Sequence, residues 1–265
     1  MEPNLTGRTL VVTGAASGIG AATAAALIRL GAQVIGVDRN VPDGAHDFVR
    51  ADLSTSEGAG AAAAQVLALA PRIDGIANIA GVPGTAPWRT VLGVNVFGLR
   101  AFTEALLPSI AEGGSVTHLA SNVADGWAAR TAQIHAFLGH EDDGEALASV
   151  EEDTEVTGNS YRFSKECVRV LTQTQAAASL GRVRVNSVSP GPVSTPILED
   201  FKRDHGTSKV EGAISLTGGA ATPEAIADVV VFLASESARW VNGSDIRVDG
   251  GLAAHRFTEA TPQPA

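Results

Sequence analysis

Short apolar runs alternate with longer Ala- and Leu-rich stretches from the first residues of the chain onward. Seven runs read as buried strands: Leu10–Val12, Gln33–Val37, Phe48–Val49, Asp74–Ile79, Ser115–Leu119, Val183–Val188 and Asp245–Val248. Between them, helical patterns fall at about 18–30, 57–69, 88–111, 160–180 and 223–234, built largely from favourable helix formers. The last opens on Thr222-Pro223-Glu224, a capping residue, then a proline at the first helical position, then an acid that the helix dipole favours. Strand and helix alternating in this way predict βα units stacked into a parallel sheet.

Three stretches depart from the rhythm. From Val123 to Asn159 the alternation stops, and between Gly139 and Gly158 stand Glu141, Asp142, Asp143, Glu145, Glu151, Glu152, Asp153 and Glu155 with no Lys or Arg. This reads as an inserted, solvated excursion. Residues 195–217 mix Thr195-Pro196, several charges and Gly206, which predicts a mobile segment with partial helix, suited to cover a ligand. The tail 257–265 has two prolines and no periodicity, and predicts an arm or disorder.

Composition narrows the class. A chain of 265 residues with 45% hydrophobic residues is long enough for one domain with a sizeable core. Its net charge of −10 opposes attraction to phosphate backbones and anionic lipid, so neither nucleic acid nor a membrane is expected as a partner. Apolar runs broken by Gly, Asp or Arg predict no membrane span, and Met1–Arg8, with Glu2 in place of a basic region, predicts no secretory signal. One cysteine, Cys167, excludes an internal disulfide and fits a reducing, cytoplasmic setting.

After the first strand comes Thr13-Gly14-Ala15-Ala16-Ser17-Gly18-Ile19-Gly20, with glycines spaced G-x-x-x-G-x-G at the opening of a helix. Such a turn brings backbone N–H groups up to a pyrophosphate, whose charge the helix N-terminus stabilises. The second strand then ends in Asp38, 18 residues beyond Gly20, near the spacing of an acid that binds an adenosine ribose. A carboxylate there repels a 2′-phosphate, so NAD is expected over NADP, although the neighbouring Arg39 could pair with that phosphate. Asp52-Leu53, after the third strand, is placed either to meet the adenine or, for Asp52, to cap the following helix.

Tyr161 and Lys165 stand four residues apart on one helix face. A nearby ammonium favours phenolate and brings a tyrosine toward the working range of a base. Ser121 ends a strand, where its hydroxyl can hold a substrate oxygen, and Asn95 is a polar residue amid an apolar helix. Each also has a plain structural reading: an exposed helical pair, a turn serine, and a buried amide at a helix kink.

Taken together, the order of Thr13–Gly20, Asn78-Ile79-Ala80-Gly81, Asn95, Ser121, Tyr161-x-x-x-Lys165, Pro190-Gly191 and Thr195 resembles the short-chain dehydrogenase/reductase family over nearly the whole chain. The resemblance implies a single-domain Rossmann fold over residues 1–256, a doubly wound α/β structure with a seven-stranded parallel sheet and a nicotinamide cofactor. It implies that Tyr161 is the general acid/base, that Lys165 binds the nicotinamide ribose and lowers the tyrosine's pKa, that Ser121 orients the substrate oxygen, and that Asn95 supports a water-linked proton relay. Pro190, Gly191, Val193 and Thr195 would contact the nicotinamide end, and Asn78, Ala80 and Gly81 its neighbourhood. The family's N-N-A-G reads Asn78-Ile79-Ala80-Gly81 here, which loses one asparagine near the cofactor.

Forty residues separate Ser121 from Tyr161, more than in most members, and the excess is the acidic insertion. With Ala51–Gly58 and the ending Val248-Asp249-Gly250-Gly251-Leu252, it resembles a subgroup of bacterial 3α-hydroxysteroid dehydrogenases/carbonyl reductases and coniferyl alcohol dehydrogenases. That implies an NAD-dependent alcohol dehydrogenase/carbonyl reductase for bulky hydrophobic alcohols or ketones. The insertion would cover the helices of the usual family dimer, so a homodimer through the C-terminal helix and strand is expected. An acyl-thioester ketoreductase would want NADP and a basic docking surface, against Asp38 and the net charge. A sugar-nucleotide epimerase would need a larger C-terminal domain. A non-catalytic NAD-binding sensor or scaffold would not need Asn95, Ser121, Tyr161 and Lys165 together. His118, His135 and His140 have no metal spacing, so no metal is expected; Trp88 and Trp240 read as packing residues, Trp127 as packing or, soon after Ser121, a substrate platform, and Leu198 and Phe201 as an apolar substrate wall.

Overall fold

The computed structural model describes residues 3–41 and 47–260. Its first half runs β1 (Thr9–Thr13), α1 (Gly18–Arg29), β2 (Gln33–Asp38), β3 (Asp47–Arg50), α2 (Ser56–Leu69) and β4 (Ile73–Asn78). Then come α3 (Trp88–Leu92), a π-helical turn (Gly93–Gly98), α4 (Leu99–Leu106) and β5 (Ile110–Leu119). The insertion follows as a 3-10 stretch (Asn122–Arg130), α5 (Thr131–Leu138), α6 (Asp143–Ser149) and α7 (Thr154–Thr157). The chain closes with α8 (Ser160–Ala178), β6 (Val183–Pro190), α9 (Leu198–His205), α10 (Thr207–Leu216), α11 (Pro223–Ala234), β7 (Asp245–Val248) and α12 (Leu252–Ala260).

All seven predicted strands form, in one parallel sheet of order β3-β2-β1-β4-β5-β6-β7. The chain winds outward from β1 in one direction and from β4 in the other. The two halves part at the carboxyl ends of β1 and β4, and such a switch point leaves a crevice where ligands bind. Two apolar layers flank the sheet. One packs Leu10, Val12 and Val34 against Ala24 and Leu27 of α1 and Ile226, Val230 and Leu233 of α11. The other packs Val11, Ile35, Val116 and Val185 against Ala62 and Val66 of α2 and Phe102 and Leu106 of α4.

The long helical pattern expected over 88–111 ends early: a 3-10 turn at Leu107–Ser109 contains Pro108, and β5 begins at Ile110. Proline lacks the N–H that would continue the helix. By length and composition the stretch Trp88–Ser109 could cross a membrane, but most of its apolar window is buried inside the fold. Val91, Leu92, Val96, Phe97 and Phe102 make it a core helix.

The insertion corrects the expectation of a solvated excursion, because it has an interior. Ile134, Phe137, Ala146, Val150 and Val156 form a third apolar cluster with Phe97 and with Phe163, Cys167 and Val168 of α8. Phe137 sits between Phe97 and Phe163, with ring centroids 5.4 and 5.2 Å away. The acids lie on its outer side, where several serve as caps. Asp142 accepts from the Glu145 N–H at 3.0 Å, and Asp153 from the Glu155 N–H at 2.9 Å and the Val156 N–H at 3.2 Å. Asp143 ties the insertion to the start of α2 by accepting from the Ser56 N–H (3.1 Å) and Oγ (2.8 Å). An acidic run therefore starts short helices and does not mark unfolded chain.

The C-terminal stretch differs too: Phe257 to Ala260 continue α12, whose start Asp249 caps through the Ala253 N–H at 2.9 Å, and residues 261–265 lie outside the described residues. Trp88 and Trp127 pack against the third cluster as expected. Trp240 does not: it is 96% exposed, between α11 and β7.

Candidate active site

One cleft of about 1030 Å³ opens along the carboxyl ends of the strands. Of the residues singled out from sequence, Gly14, Ser17, Gly18, Ile19, Gly20, Asp38, Arg39, Asp52, Leu53, Ala80, Gly81, Ser121, Tyr161, Pro190, Gly191, Val193 and Thr195 line it. Residues spread over 180 positions thus meet at one edge of the sheet because each follows, or ends, a parallel strand, except Tyr161, which the first turn of α8 brings there.

The glycine turn is built for close approach. Gly14 has φ +70°, and a Cβ there would lie 2.9 Å from Ala80; a Cβ on Gly20 would lie 2.0 Å from the Gly14 carbonyl oxygen. The turn is pinned from behind by Thr13, whose Oγ1 accepts from the Ile79 and Ala80 N–H groups, both at 3.0 Å. At the start of α1, Ser17 makes no side-chain cap bond and no acid occupies the first turn. The N–H groups of α1 therefore face the cleft without a protein anion. Asp38 closes the far end, accepting from the Ala16 N–H (3.1 Å) and the Asn40 N–H (3.0 Å). Asp52 lines the cleft without capping α2: it accepts from the Ser54 N–H at 2.9 Å, and Thr55 caps the helix through the Gly58 N–H at 3.1 Å.

At the opposite end Ser121 and Tyr161 line the cleft together, and both are nearly buried. Ser121 begins the 3-10 stretch, its Oγ accepting from the Val123 N–H at 3.4 Å. Burial holds the Tyr161 phenol well above its usual pKa; the nearby Ser121 hydroxyl pulls it down, and the Asp204 carboxylate pushes it up. Lys165 lies behind Tyr161, its Nζ 5.6 Å from the ring centroid and donating to the Leu119 carbonyl at 2.7 Å. Burial lowers its pKa to about 8.

Asn95 is fully buried in the π-helical turn. Its Oδ1 accepts from the Val82 N–H at 2.9 Å, and its Nδ2 donates to the Val82 carbonyl and the Ser164 Oγ, each at 3.1 Å. Ser164, which sequence reasoning passed over, donates in turn to the Tyr161 carbonyl at 2.7 Å. Asn95 therefore joins the loop after β4 to the first turn of α8. The amide sits at a helix irregularity, as its structural reading expects, and it braces the tyrosine-bearing helix.

Asn78 needs a correction, because its side chain does not reach the cleft. Its Nδ2 donates to the Thr103 Oγ1 (2.8 Å) and to the His118 Nδ1 (3.1 Å), behind the sheet. Because the amide donates, His118 Nδ1 is an acceptor and its Nε2–H donates to Gln175 Oε1 at 2.9 Å. Burial drives the His118 pKa down to about 4, which fixes a neutral, structural ring.

Segment 195–217 lies over the cleft as α9 and α10. Phe201 meets the Tyr161 ring edge-on, 4.9 Å between centroids, and Leu198 joins it in the wall. Sequence reasoning missed Asp204, His205 and Lys209 here, and Asn159, Asp125 and Arg247 elsewhere on the rim. The only signal for the first three was polar residues inside the segment already marked as a cover.

The comparisons with known proteins agree with this geometry. The short chain dehydrogenase profile matches residues 8–132, and an enoyl-(acyl carrier protein) reductase profile matches residues 146–253. The chain is similar to a coniferyl-alcohol dehydrogenase of Pseudomonas sp. (strain HR199), 43% identical over 94% of this chain and 98% of the relative. It is 36% identical to a 3-alpha-hydroxysteroid dehydrogenase/carbonyl reductase of Comamonas testosteroni, over 92% and 96%. Among solved structures, the 3-alpha-hydroxysteroid dehydrogenase of Pseudomonas sp. B-0831, complexed with NADH, superposes with a TM-score of 0.82 at 32% identity, covering 96% of this chain and all of that one. Fold and site define an oxidoreductase of Rossmann type. The chain belongs to the short-chain dehydrogenase/reductase family.

Proposed function

We propose that the protein interconverts a hydrophobic alcohol, aromatic or steroid, and its carbonyl compound with NAD as the hydride carrier. The carrying observation is Ser121 and Tyr161 together, with Lys165 behind the tyrosine, at one end of a cleft whose other end is a glycine turn and Asp38. The names of the relatives support an alcohol substrate, and the NADH in the steroid dehydrogenase structure supports the cofactor. The residues fit a dinucleotide: the Gly14–Gly20 cradle and the uncapped start of α1 suit a pyrophosphate, and the Asp38 carboxylate suits ribose hydroxyls. Bound there, a nicotinamide would supply the acceptor or donor of hydride.

Every other step belongs to the chain. Ser121 holds the substrate oxygen beside Tyr161. The phenolate of Tyr161 takes the hydroxyl proton during oxidation, and the phenol returns it during reduction. Lys165, charged below about pH 8, favours that phenolate across a buried gap where its field is weakly screened. Asn95 and Ser164 hold the first turn of α8. Pro190, Gly191, Val193 and Thr195 close the nicotinamide end, with Thr195 stacked over Gly18. Residues 195–217 cover the substrate, with Phe201 and Leu198 as its apolar wall.

The working unit in this reading is a homodimer. Insertion residues bury the outward face of α8, which leaves the edge strand β7 and α11, on a face of the sheet against α1, for a contact. Phe232 on α11 and Trp240 beside it are exposed apolar side chains suited to a self-complementary contact.

The test is initial rates of NADH formation from steroid, aryl and aliphatic alcohols, for wild type and Tyr161→Phe. Tyr161 is the only tyrosine in the chain, so no second phenol can substitute. Turnover that falls by about 10²–10⁴ in the variant is expected, with NADP much poorer than NAD. NAD binding without turnover of any alcohol would instead favour a binding-only protein.

A further inference from the structure

One buried cation of α8 has no part in the proposed chemistry. Arg169 follows Tyr161 and Lys165 at four-residue intervals, so the three stand in turn along one stripe of the helix. Its side chain is 7% exposed, a burial that arginine tolerates only when paired. One arm, Nη1, donates to the Ala124 carbonyl at 3.4 Å and to Asp125 Oδ1 at 3.2 Å. The other, Nη2, donates to Asp245 Oδ2 on β7.

Both ends of this bridge are anchored. Asp245 Oδ1 accepts from Ser187 Oγ at 2.6 Å and Ser189 Oγ at 2.7 Å, both on β6, which fixes the carboxylate. Asp125 Oδ1 also accepts from Arg247 Nη2 on β7 at 2.8 Å. For the buried pair of Arg169 and Asp245, desolvation offsets much of the attraction, so its net stabilisation is small. What the pair supplies is geometry, because a planar guanidinium donates in fixed directions.

The segment held in this way is the turn that Ser121 opens. Ser121 Oγ accepts from the Val123 N–H at 3.4 Å, and the Ser121 carbonyl accepts from the Ala124 N–H at 3.1 Å. Ala124, whose own carbonyl Arg169 holds, is fully buried. Forty residues of sequence separate Ser121 from Tyr161. A side chain from the tyrosine's own helix nevertheless grips the serine's turn directly.

We propose that Arg169 is a positioning residue: by gripping Ala124 and Asp125 it sets where the Ser121 hydroxyl stands relative to the Tyr161 phenol. Arg169 itself is not among the residues that line the cleft, so it acts through Ser121. The assignment rests on the dehydrogenase reading and adds the part that fixes its two polar groups.

The test uses Arg169→Lys, which keeps a cation and loses the two-armed fork, in the wild-type and Ser121→Ala backgrounds. Single-turnover rates are measured with the best alcohol of the steroid, aryl and aliphatic panel, and NADH affinity by fluorescence titration. In the wild-type background the rate is expected to fall by about tenfold to a hundredfold, the scale of a misplaced reacting group, with the NADH Kd unchanged. In the Ser121→Ala background the same substitution is expected to change the rate by less than about twofold, because the group it misplaces is already gone. Equal losses in both backgrounds, or no loss in the first, overturn the assignment and leave the dehydrogenase reading intact. Asp245→Asn, which slackens the bridge at its end on β7, runs through the same cycle and replaces Arg169→Lys if that variant does not fold. Amide hydrogen exchange of Val123 and Ala124 reads the turn without turnover: it should quicken in Arg169→Lys while the amides in the middle of α8 keep their protection. Unchanged exchange overturns the assignment. Turnover of no alcohol by the wild type refutes the dehydrogenase reading separately. In that case, or where Ser121→Ala is too slow to compare, the exchange alone decides whether Arg169 holds the serine's turn.

Discussion

Replacing Lys165 by methionine is expected to remove the proposed activity while relieving a cost that the fold carries for it. Lys165 is 3% exposed, and among the described residues its ammonium has one direct hydrogen-bond acceptor, the Leu119 carbonyl at 2.7 Å. Burial brings its pKa from 10.5 to about 8. A group that binds its proton less tightly when folded destabilises the fold wherever both states are protonated. Below pH 8 that cost is fully present. Between pH 8 and 10.5 the unfolded chain binds more protons than the folded one, so stability attributable to this group rises with pH. The shift of about 2.5 pKa units corresponds to about 3 kcal/mol at pH 7, and roughly 2 kcal/mol of it is recovered by pH 9.5.

Methionine has similar length and no charge, so Lys165→Met removes this dependence. It also leaves the Leu119 carbonyl without its donor, an opposing loss of about 1–3 kcal/mol that does not vary with pH. The informative quantity is therefore the change in the stability gap between the two proteins. Urea unfolding without added cofactor at pH 7 and pH 9.5 measures it, and all other titrating groups are shared and cancel. The gap should move by about 2 kcal/mol in favour of the wild type on going to pH 9.5. For a chain of this size that is roughly 4–8 °C in relative Tm. A gap independent of pH would show that the buried ammonium is not held against its proton affinity, and would remove the physical basis given for its effect on Tyr161.

Asp38→Ala should lower the preference for NAD, raising kcat/KM with NADP relative to NAD by at least about tenfold, since the carboxylate no longer repels a 2′-phosphate and Arg39 remains beside it. An unchanged NADP-to-NAD ratio would place the selectivity elsewhere. Trp240→Glu should convert a dimer of about twice 27.0 kDa into a monomer by light scattering, because it sets two like charges into one apolar contact. A wild-type monomer, or a variant that stays dimeric, removes α11 and β7 as the interface.

Strands and the main helices were legible because short apolar runs, most with turn residues at one end, alternate with Ala- and Leu-rich stretches, and the 223–234 helix carries its own start signal. Thr222 supplies it, accepting from the Ala225 N–H at 3.3 Å just before Pro223. The glycine turn and Asp38 were legible because their chemistry is tied to a strand end at fixed spacing. Asn78 was not, since a strand residue shows its face only in register, and β4 turns this amide toward Thr103 and His118. His205 and Asp204 were hidden for a different reason. What sets them in the cleft wall is their approach to Tyr161 and Gly84, more than forty and a hundred positions away, and no local pattern encodes that.

The insertion shows how a segment with an acidic surface can serve the site from behind. Fourteen of the nineteen residues of α8 are buried, a proportion found when a helix is packed on both faces. One side meets β6 and the sheet, and the other meets Ile134, Phe137 and Val156 of the insertion. On that second side Glu166 is held at 3.4 Å from Arg130, whose guanidinium also lies 5.1 Å from the Phe163 ring centroid. Further along, Arg169 is clasped between Asp125 and Asp245. A helix fixed on both faces holds Tyr161 and Lys165 in one geometry, and the same enclosure desolvates Lys165 and lowers its proton affinity. Covering α8 with the chain's own residues thus removes a surface that a partner subunit could use and gives the site its rigidity within a single subunit.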